Sequence, residues 1–156
     1  MGMRSRSVAS SSDGYEFHEE MLPISLLITR RTLTAADVPG LFEYYRSLCR
    51  RRIRFVSVSD VRASRAMPCA KTRQRFAEEA ARFASDARTW SLGAIVIVDS
   101  PLIRGAMTAI EWLYRPPRPT RYFSDFSDAI SCAVGLLEAR DMAISPNIRR
   151  FLSDTV

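Results

Sequence analysis

The chain has 156 residues, of which 47% are hydrophobic and 26% are charged, and its formal net charge is +6. This length and composition suit a single domain that buries enough apolar surface to fold without disulfides or a structural metal. No apolar stretch approaches the roughly 20 residues that a membrane-spanning helix needs. The three cysteines are far apart and odd in number, which favours reduced thiols in a cytoplasmic protein.

The N-terminal segment, residues 1–13, is predicted to be a disordered leader because it is rich in Ser and Arg and has no apolar core. Residues 15–19 then predict a short edge strand. Residues 23–30 (PISLLITR) are a continuous apolar run too short for a helix, and they predict a second strand. We expect these two strands to form an antiparallel edge of a sheet.

Two helices and a strand are predicted in the next part of the chain. Thr34 is a suitable N-cap for the first helix, and Asp37 in its first turn is favoured by the helix dipole. An apolar stripe with spacings of three and four residues follows, and the arginine run at 50–52 closes the helix. Residues 53–58 predict a strand rich in β-branched and aromatic side chains, and residues 69–88 predict a long helix.

Residues 94–98 (AIVIV) predict a strand that is apolar on both faces, as is typical of the middle of a covered sheet. Ser100 as N-cap with Pro101 in the first turn begins the following helix. Residues 120–123 predict a short strand.

The last predicted helix follows a cap at Ser124 or Asp125, and its apolar stripe fades after residue 140. We therefore place the folded domain at residues 14–140 and a C-terminal tail at residues 141–156. The alternation of strands and helices predicts an α/β fold, with a mixed, mainly parallel sheet covered by about four helices.

The residues that most enzymes need are missing from the sequence. His18 is the only histidine and lies in the weak first strand, where an ordinary surface position is expected. No glycine-rich phosphate or dinucleotide motif occurs, and the carboxylate pairs at 19–20 and 78–79 are expected on solvated faces. We predict a protein with no catalytic residues, no metal and no cofactor.

A dense basic patch is the main charged feature, and it consists of Arg50, Arg51, Arg52 and Arg54. We expect these side chains to be exposed, because unpaired buried charge is very costly. The patch supports an alternative function in binding nucleic acid or anionic lipid, with weak and salt-sensitive affinity. The segment 112–122 is aromatic and, together with the edge strand 15–19, is the surface expected to support a homo-oligomer.

Three passages resemble the SpoIIAA-like branch of the STAS superfamily, often described as STAS/SEC14-like. They are residues 55–62 (FVSVSDVR), 95–112 (IVIVDSPLIRGAMTAIEW) and 121–129 (RYFSDFSDA). The resemblance covers residues 14–140, mostly through topology. It implies the α/β fold above and a bacterial regulatory domain that binds a protein partner through the loops near the third-strand junction.

In the signalling branch of that family, a Ser or Thr at the start of the helix after the third strand is phosphorylated within an Asp-Ser-x-Gly-like turn, and the domain acts as an anti-sigma factor antagonist. That motif is missing here. The equivalent turn contains Ser64, Pro68, Cys69 and Thr72. We predict a degenerate switch, meaning a protein-interaction surface without phosphoregulation; a phosphorylated antagonist remains an alternative. Cys69 at a helix N-terminus is a candidate redox-sensitive thiol, although burial would oppose this.

Overall fold

The computed structural model describes residues 8–113 and 116–154, and it contains one six-stranded sheet whose strand order follows the chain from β1 to β6. The first three strands pair antiparallel, and the remaining pairings are parallel. The strands are β1 (Val8–Ser11), β2 (Tyr15–His18), β3 (Ile24–Thr29), β4 (Phe55–Asp60), β5 (Ser91–Ile97) and β6 (Thr120–Phe123).

Helices cover both faces of this sheet, so the predicted α/β fold with a mixed, mainly parallel sheet is confirmed. Because the parallel strands follow one another in sheet order, their crossover helices all pack on one face. These are α1 (Val38–Arg50), α2 (Ala70–Trp90) and α3 (Pro101–Leu113). The opposite face is covered by α4 (Phe126–Glu138) and α5 (Pro146–Asp154).

Side chains along β4 alternate between the two faces of the sheet, and each face packs against its own hydrophobic core. Val56 and Val58 point toward α4, whereas Phe55 packs with α1 and α2. The strand β5, which contains most of the AIVIV run, is interior and lies between β4 and β6, and Ile95 and Val96 are buried. The predicted position of this strand is therefore confirmed.

Capping residues define the helix starts largely as predicted. The Ser100 hydroxyl accepts a hydrogen bond from the Ile103 amide at 3.4 Å, and the Asp125 carboxylate accepts one from the Asp128 amide at 3.0 Å. At α1 the predicted N-cap, Thr34, is wrong: Asp37 has the cap position, and its carboxylate accepts a hydrogen bond from the Thr34 amide at 2.7 Å. This bond closes a turn before the helix begins at Val38, as the acidic residue of a capping box does.

Two boundaries of the predicted domain were wrong. Residues 8–11, assigned to the disordered leader, form β1, while residues 1–7 lie outside the described part. Strand β2 therefore lies between β1 and β3 and is not an edge. The predicted tail contains α5, whose Ile148 is fully buried in the core beneath α4.

The connection between α2 and β5 contains no loop residues. The helix was predicted to end at residue 88, but it continues to Trp90, and the strand begins at Ser91. Ser91 has extended backbone angles and its amide donates to the Ala87 carbonyl, so the helix cap is also the first residue of the strand. The strand and the helix are thus joined directly.

Candidate functional site

The predicted switch turn lies at the edge of the sheet where the parallel strands end. Strands β4 and β5 are parallel neighbours, so the segments that follow them leave the sheet at the same edge. The first of these segments, residues 61–69, leads to α2, and the second, residues 98–100, leads to α3. In α/β proteins this edge is where ligands and partners usually bind.

Side-chain and backbone hydrogen bonds fix the turn. The Ser64 amide donates to the Val61 carbonyl at 3.0 Å. The Thr32 hydroxyl, from the loop after β3, contacts both the amide and the carbonyl of Ala66 at 3.3 Å. Since one bond closes the turn itself and the others tie it to the loop after β3, the turn has a defined position relative to the sheet.

A bidentate ion pair between Arg62 and Asp60 lies at the base of the turn. The Arg62 side chain donates to both carboxylate oxygens of Asp60, with its Nε at 3.0 Å from Oδ1 and its Nη2 at 2.8 Å from Oδ2. Asp60 is buried, and its carboxylate raises the pKa of the Arg62 guanidinium. This pair was not recognised in the sequence, because residues two apart in a chain give no fixed spacing signal outside a regular element.

Cys69 and Thr72 are at the N-terminus of α2. Thr72 is buried, and its hydroxyl lies 3.2 Å from the Cys69 sulfur. Cys69 is exposed, and contacts with the Thr72 side chain and the amides of the first turn hold the pKa of its thiol below the usual range. Burial was expected to oppose thiolate formation at Cys69, and this expectation is wrong because the side chain is exposed.

Exposed apolar side chains flank the turn. Met67 is 40% exposed, and Leu102, in the first turn of α3, is 58% exposed. A cavity of about 70 Å³ is lined in part by Ser64 and by the chain neighbours of these two residues, Pro68 and Ile103. The turn and the start of α3 thus face one another, and they form one surface, which we call the loop face.

The arginine patch at the end of α1 is exposed at all four positions, as predicted. Two of its members are paired, because Arg50 contacts Glu43 at 2.6 Å and Arg51 contacts Glu19. Within the described residues, Arg52 and Arg54 make no ion pair. The patch therefore carries less uncompensated charge than the sequence indicates.

His18 was expected on the surface, and this was wrong: its side chain is only 4% exposed. Its Nε2 lies 2.8 Å from Glu16 and its Nδ1 lies 3.1 Å from Glu20. Burial acts to raise the pKa of Glu16, but the bonds from His18 and Arg30 outweigh it and lower that pKa. β1 pairs with the strand that contains His18, and the short, serine-rich sequence of residues 8–11 did not reveal β1.

The aromatic surface predicted at 112–122 is found only in part. Trp112 is 84% exposed, whereas Tyr122 is half-buried and its hydroxyl lies 3.3 Å from Glu111. Tyr114 lies outside the described residues. Since residues 15–18 are not at an edge, Trp112 is what remains of the surface predicted to support a homo-oligomer.

A larger cavity, which the sequence did not indicate, lies between the sheet and the helices α2 and α3. Its volume is about 150 Å³. Ser57, Ser59 and Ala94 form its floor, and Phe76, Met107 and Ile110 are among the residues that cover it. The signal available in the sequence was the small size of three inward-facing strand residues.

The fold and the loop face define a mixed α/β domain with exposed apolar and basic side chains at the carboxyl edge of its parallel strands. No protein-family model matches the chain, and none of the curated proteins matches it. In the described part of the chain, no group of three or more His, Cys, Asp and Glu is placed to hold a metal ion, and no helix is long and apolar enough to cross a membrane.

Proposed function

We propose that the protein is a non-catalytic, cytoplasmic protein-interaction module with a regulatory role, of the kind that the resemblance to STAS domains implies. The observation that carries this proposal is the exposure of Leu102 and Met67 on the loop face. Large apolar side chains exposed at a defined edge of the fold are typical of protein-binding surfaces.

The charges around these two residues fit an acidic partner. Arg65 and Lys71 are exposed on the same segment and the first turn of α2. An interface of this kind has an apolar centre that supplies most of the affinity and a charged rim that steers association. The partner is therefore expected to present an apolar anchor residue within an acidic surface.

The proposal of a non-catalytic role is supported by the surroundings of the single histidine. Both ring nitrogens of His18 face carboxylates, from Glu16 and Glu20. Neither nitrogen is available to take a proton from a nucleophile, as a general base must. A hydrolytic triad built on this histidine is therefore unfavourable.

The alternative of a phosphorylated anti-sigma factor antagonist receives less support from the turn. The Thr72 hydroxyl is buried against Cys69, so a kinase cannot reach it without unwinding the start of α2. Ser64 is half-buried, and its amide is bonded within the turn. Mass spectrometry of protein from its own host tests this alternative, because substantial phosphate on Ser64 or Thr72 would favour it over the degenerate switch.

Site-directed photo-crosslinking tests the interaction surface. A photoreactive amino acid is placed at Leu102 on the loop face or, as a matched control, at the exposed Ser131 on α4. We expect a discrete crosslinked partner in the native host from position 102 alone. The second variant, Leu102→Asp, is expected to abolish capture by a crosslinker at Met67 without lowering the melting temperature.

Two results would argue against the loop face. The first is capture of the same proteins from positions 102 and 131. The second is capture from position 67 that survives Leu102→Asp. A partner whose binding is lost entirely in 0.5 M salt would instead indicate contacts dominated by charge, because apolar docking depends little on salt.

A further inference from the structure

The cavity beneath α2 and α3 has the size of a small-molecule site. Its volume is about 150 Å³, and most of its lining is apolar. Protein interiors are close-packed, so a void of this size is uncommon unless something occupies it. An apolar cavity of roughly 150 Å³ accommodates one benzene ring.

The cavity arises from small residues at three neighbouring sheet positions. Ser57 and Ser59 alternate with Val58 on β4, and Ala94 pairs with Ser57 on β5. Phe55 fills the corresponding space at one end of β4 by stacking on Tyr45. A side chain of ordinary size at any of the three small positions would close much of the cavity.

Flat aromatic walls favour a planar ligand. The rings of Tyr45 and Phe55 stack with centroids 5.8 Å apart and planes 11° apart. Tyr45 also meets Phe83 at 5.9 Å, and Phe42 meets Phe76 edge-on at 5.2 Å. All five rings line the cavity. Aromatic rings pack well against a further ring in offset or edge-on geometry.

A cation lies at the rim. Arg118 lines the cavity, is half-buried, and donates through Nη1 to the Ser91 carbonyl. Among the described residues it makes no ion pair with a carboxylate. The nearby rim residue Glu111 already accepts a bond from Tyr122. A guanidinium presents five N–H donors in a planar fork, so Arg118 retains donors that suit a carboxylate.

We propose that this cavity binds a small aromatic carboxylate with a single ring, the ring lying between the aromatic walls and the carboxylate on Arg118. The ligand is held by non-covalent contacts alone. Its rim is formed by residues near the start of β5 and β6, at the opposite end of the strands from the loop face, although the cavity shares Ser59, Phe76 and Met107 with the smaller cavity at that face.

Three probes separate the two parts of this proposal. Benzoate has both ring and charge, benzamide has the ring without the charge, and acetate has the charge without the ring. Titrations followed by the methyl resonances of ¹³C-methyl methionine report binding, because Met107 covers the cavity whereas Met67 lies on the loop face. Met107 also lines the smaller cavity, so substitutions at Arg118 and Ala94, which line only the larger one, assign the site. We expect benzoate to shift Met107 with a Kd of about 0.1–1 mM, in the range available to so small a ligand.

Substitutions locate the charge. Arg118→Gln is expected to weaken benzoate binding at least tenfold and to leave benzamide binding unchanged. Arg121→Gln, an exposed arginine on β6, is the matched control and should bind benzoate like the parent protein. Ala94→Val and Ser59→Leu narrow the cavity, and each folded variant is expected to lose binding of both benzoate and benzamide.

The proposal is overturned if benzoate leaves Met107 unshifted at 10 mM or shifts Met67 alone. It is also overturned if benzoate and benzamide bind equally, or if Arg118→Gln binds benzoate as tightly as Arg121→Gln does. The rim variants preserve the core, so these outcomes are readable even where a cavity-filling variant fails to fold. None of them bears on photo-crosslinking from Leu102, so the two proposals fail independently.

Discussion

Arg52 has a φ of 56°, which places its backbone in the left-handed region. It ends α1 in a Schellman motif, because the Ile53 amide donates to the Leu48 carbonyl and the Arg52 amide donates to the Cys49 carbonyl, each at 3.0 Å. Glycine is the usual residue at this position. A side chain there costs about 1–2 kcal/mol.

Replacing Arg52 with glycine is therefore expected to stabilise the protein. Glycine removes the left-handed strain but makes the unfolded chain more flexible, so the expected net gain is about 0.5–1 kcal/mol. The urea midpoint should rise with no change in slope. Arg52→Ala keeps the strain while removing the charge, and it should leave the midpoint within experimental error. Equal midpoints for the two variants would show that the backbone conformation is not what matters.

Single side chains were the hardest part of the structure to predict. Glu78 and Glu79 were both expected in solvent, yet Glu79 is only 4% exposed and Glu78 is exposed. Sequence separation placed them correctly on different faces of α2. It did not show that α1 would bring Arg46 against one of them, because that contact depends on how two helices pack.

Helices α1 and α2 are joined by a cluster of charges around Glu79. Its carboxylate lies 2.8 Å from Arg46 on α1, and it also contacts Arg82 at 3.1 Å and Arg75 at 3.6 Å on its own helix. The bond from Arg46 and the surrounding arginines lower the pKa of Glu79. A buried carboxylate with this many donors is fully satisfied, so removing its charge leaves the arginines without their acceptor.

Glu79→Gln is expected to lower the free energy of unfolding by about 2 kcal/mol at pH 7, near the value of hydrogen bonds to charged groups. Because the folded-state pKa of Glu79 is depressed, its contribution is complete above the unfolded value of about 4.3 and is lost as the pH falls through the folded value. The difference between the parent protein and the variant should therefore shrink in acid. Glu78→Gln, on the exposed neighbour, should change little at any pH. A difference that stayed constant down to pH 2 would exclude a role for the charge.

Helix α5 was not predicted from the sequence. Residues 141–156 were predicted to be a tail, because the apolar stripe fades after Arg140 and Pro146 interrupts the pattern. In the structure, that proline begins a new helix, and Asn147 and Ser145 donate to the Glu20 carbonyl at 3.1 and 3.4 Å. Contacts between residues so far apart in the chain leave no pattern in the local sequence.

We expect Ile148→Ala to cost about 2–4 kcal/mol, because it leaves a cavity at a fully buried position. The measurement is chemical denaturation, with Arg149→Ala on the exposed side of the same helix as control. If both variants unfolded at the midpoint of the parent protein, α5 would be detached from the core in solution.

At the scale of the whole molecule, most of the fold could be predicted. The parallel strands and the helices α1–α4 follow from apolar periodicity and capping residues, which are local properties. The strand β1, the helix α5 and the cavity could not be predicted in the same way. Each depends on what the finished sheet leaves uncovered, and a strand with the sequence VASS has no apolar pattern to reveal it.

The overall charge predicts weak binding to nucleic acid, and the ion pairs of the patch set its strength. With Arg50 and Arg51 paired to Glu43 and Glu19, about two patch charges remain, which corresponds to a slope of roughly −1.8 in a plot of log affinity against log salt. Fluorescence anisotropy with a labelled duplex measures this slope.

Variants separate the patch from the net charge. Arg52→Ala with Arg54→Ala should abolish the salt-dependent binding, and Glu43→Gln with Glu19→Gln should strengthen it. Tight binding of one sequence that persists at 0.5 M salt would contradict this account, since charge contacts alone are weak there.

The loop-free joint between Trp90 and Ser91 gives α2 the mechanics of a lever. The strand β5 is held in the middle of the sheet, so any tilt of the helix must pivot at that joint, and its other end follows the longer segment that precedes Cys69. A helix of 21 residues is about 30 Å long, so a tilt of only 5° displaces its N-terminus by roughly 3 Å. A change in the volume between this helix and the sheet would therefore displace the turn that contains Pro68, where the loop face lies, more than it displaces the joint.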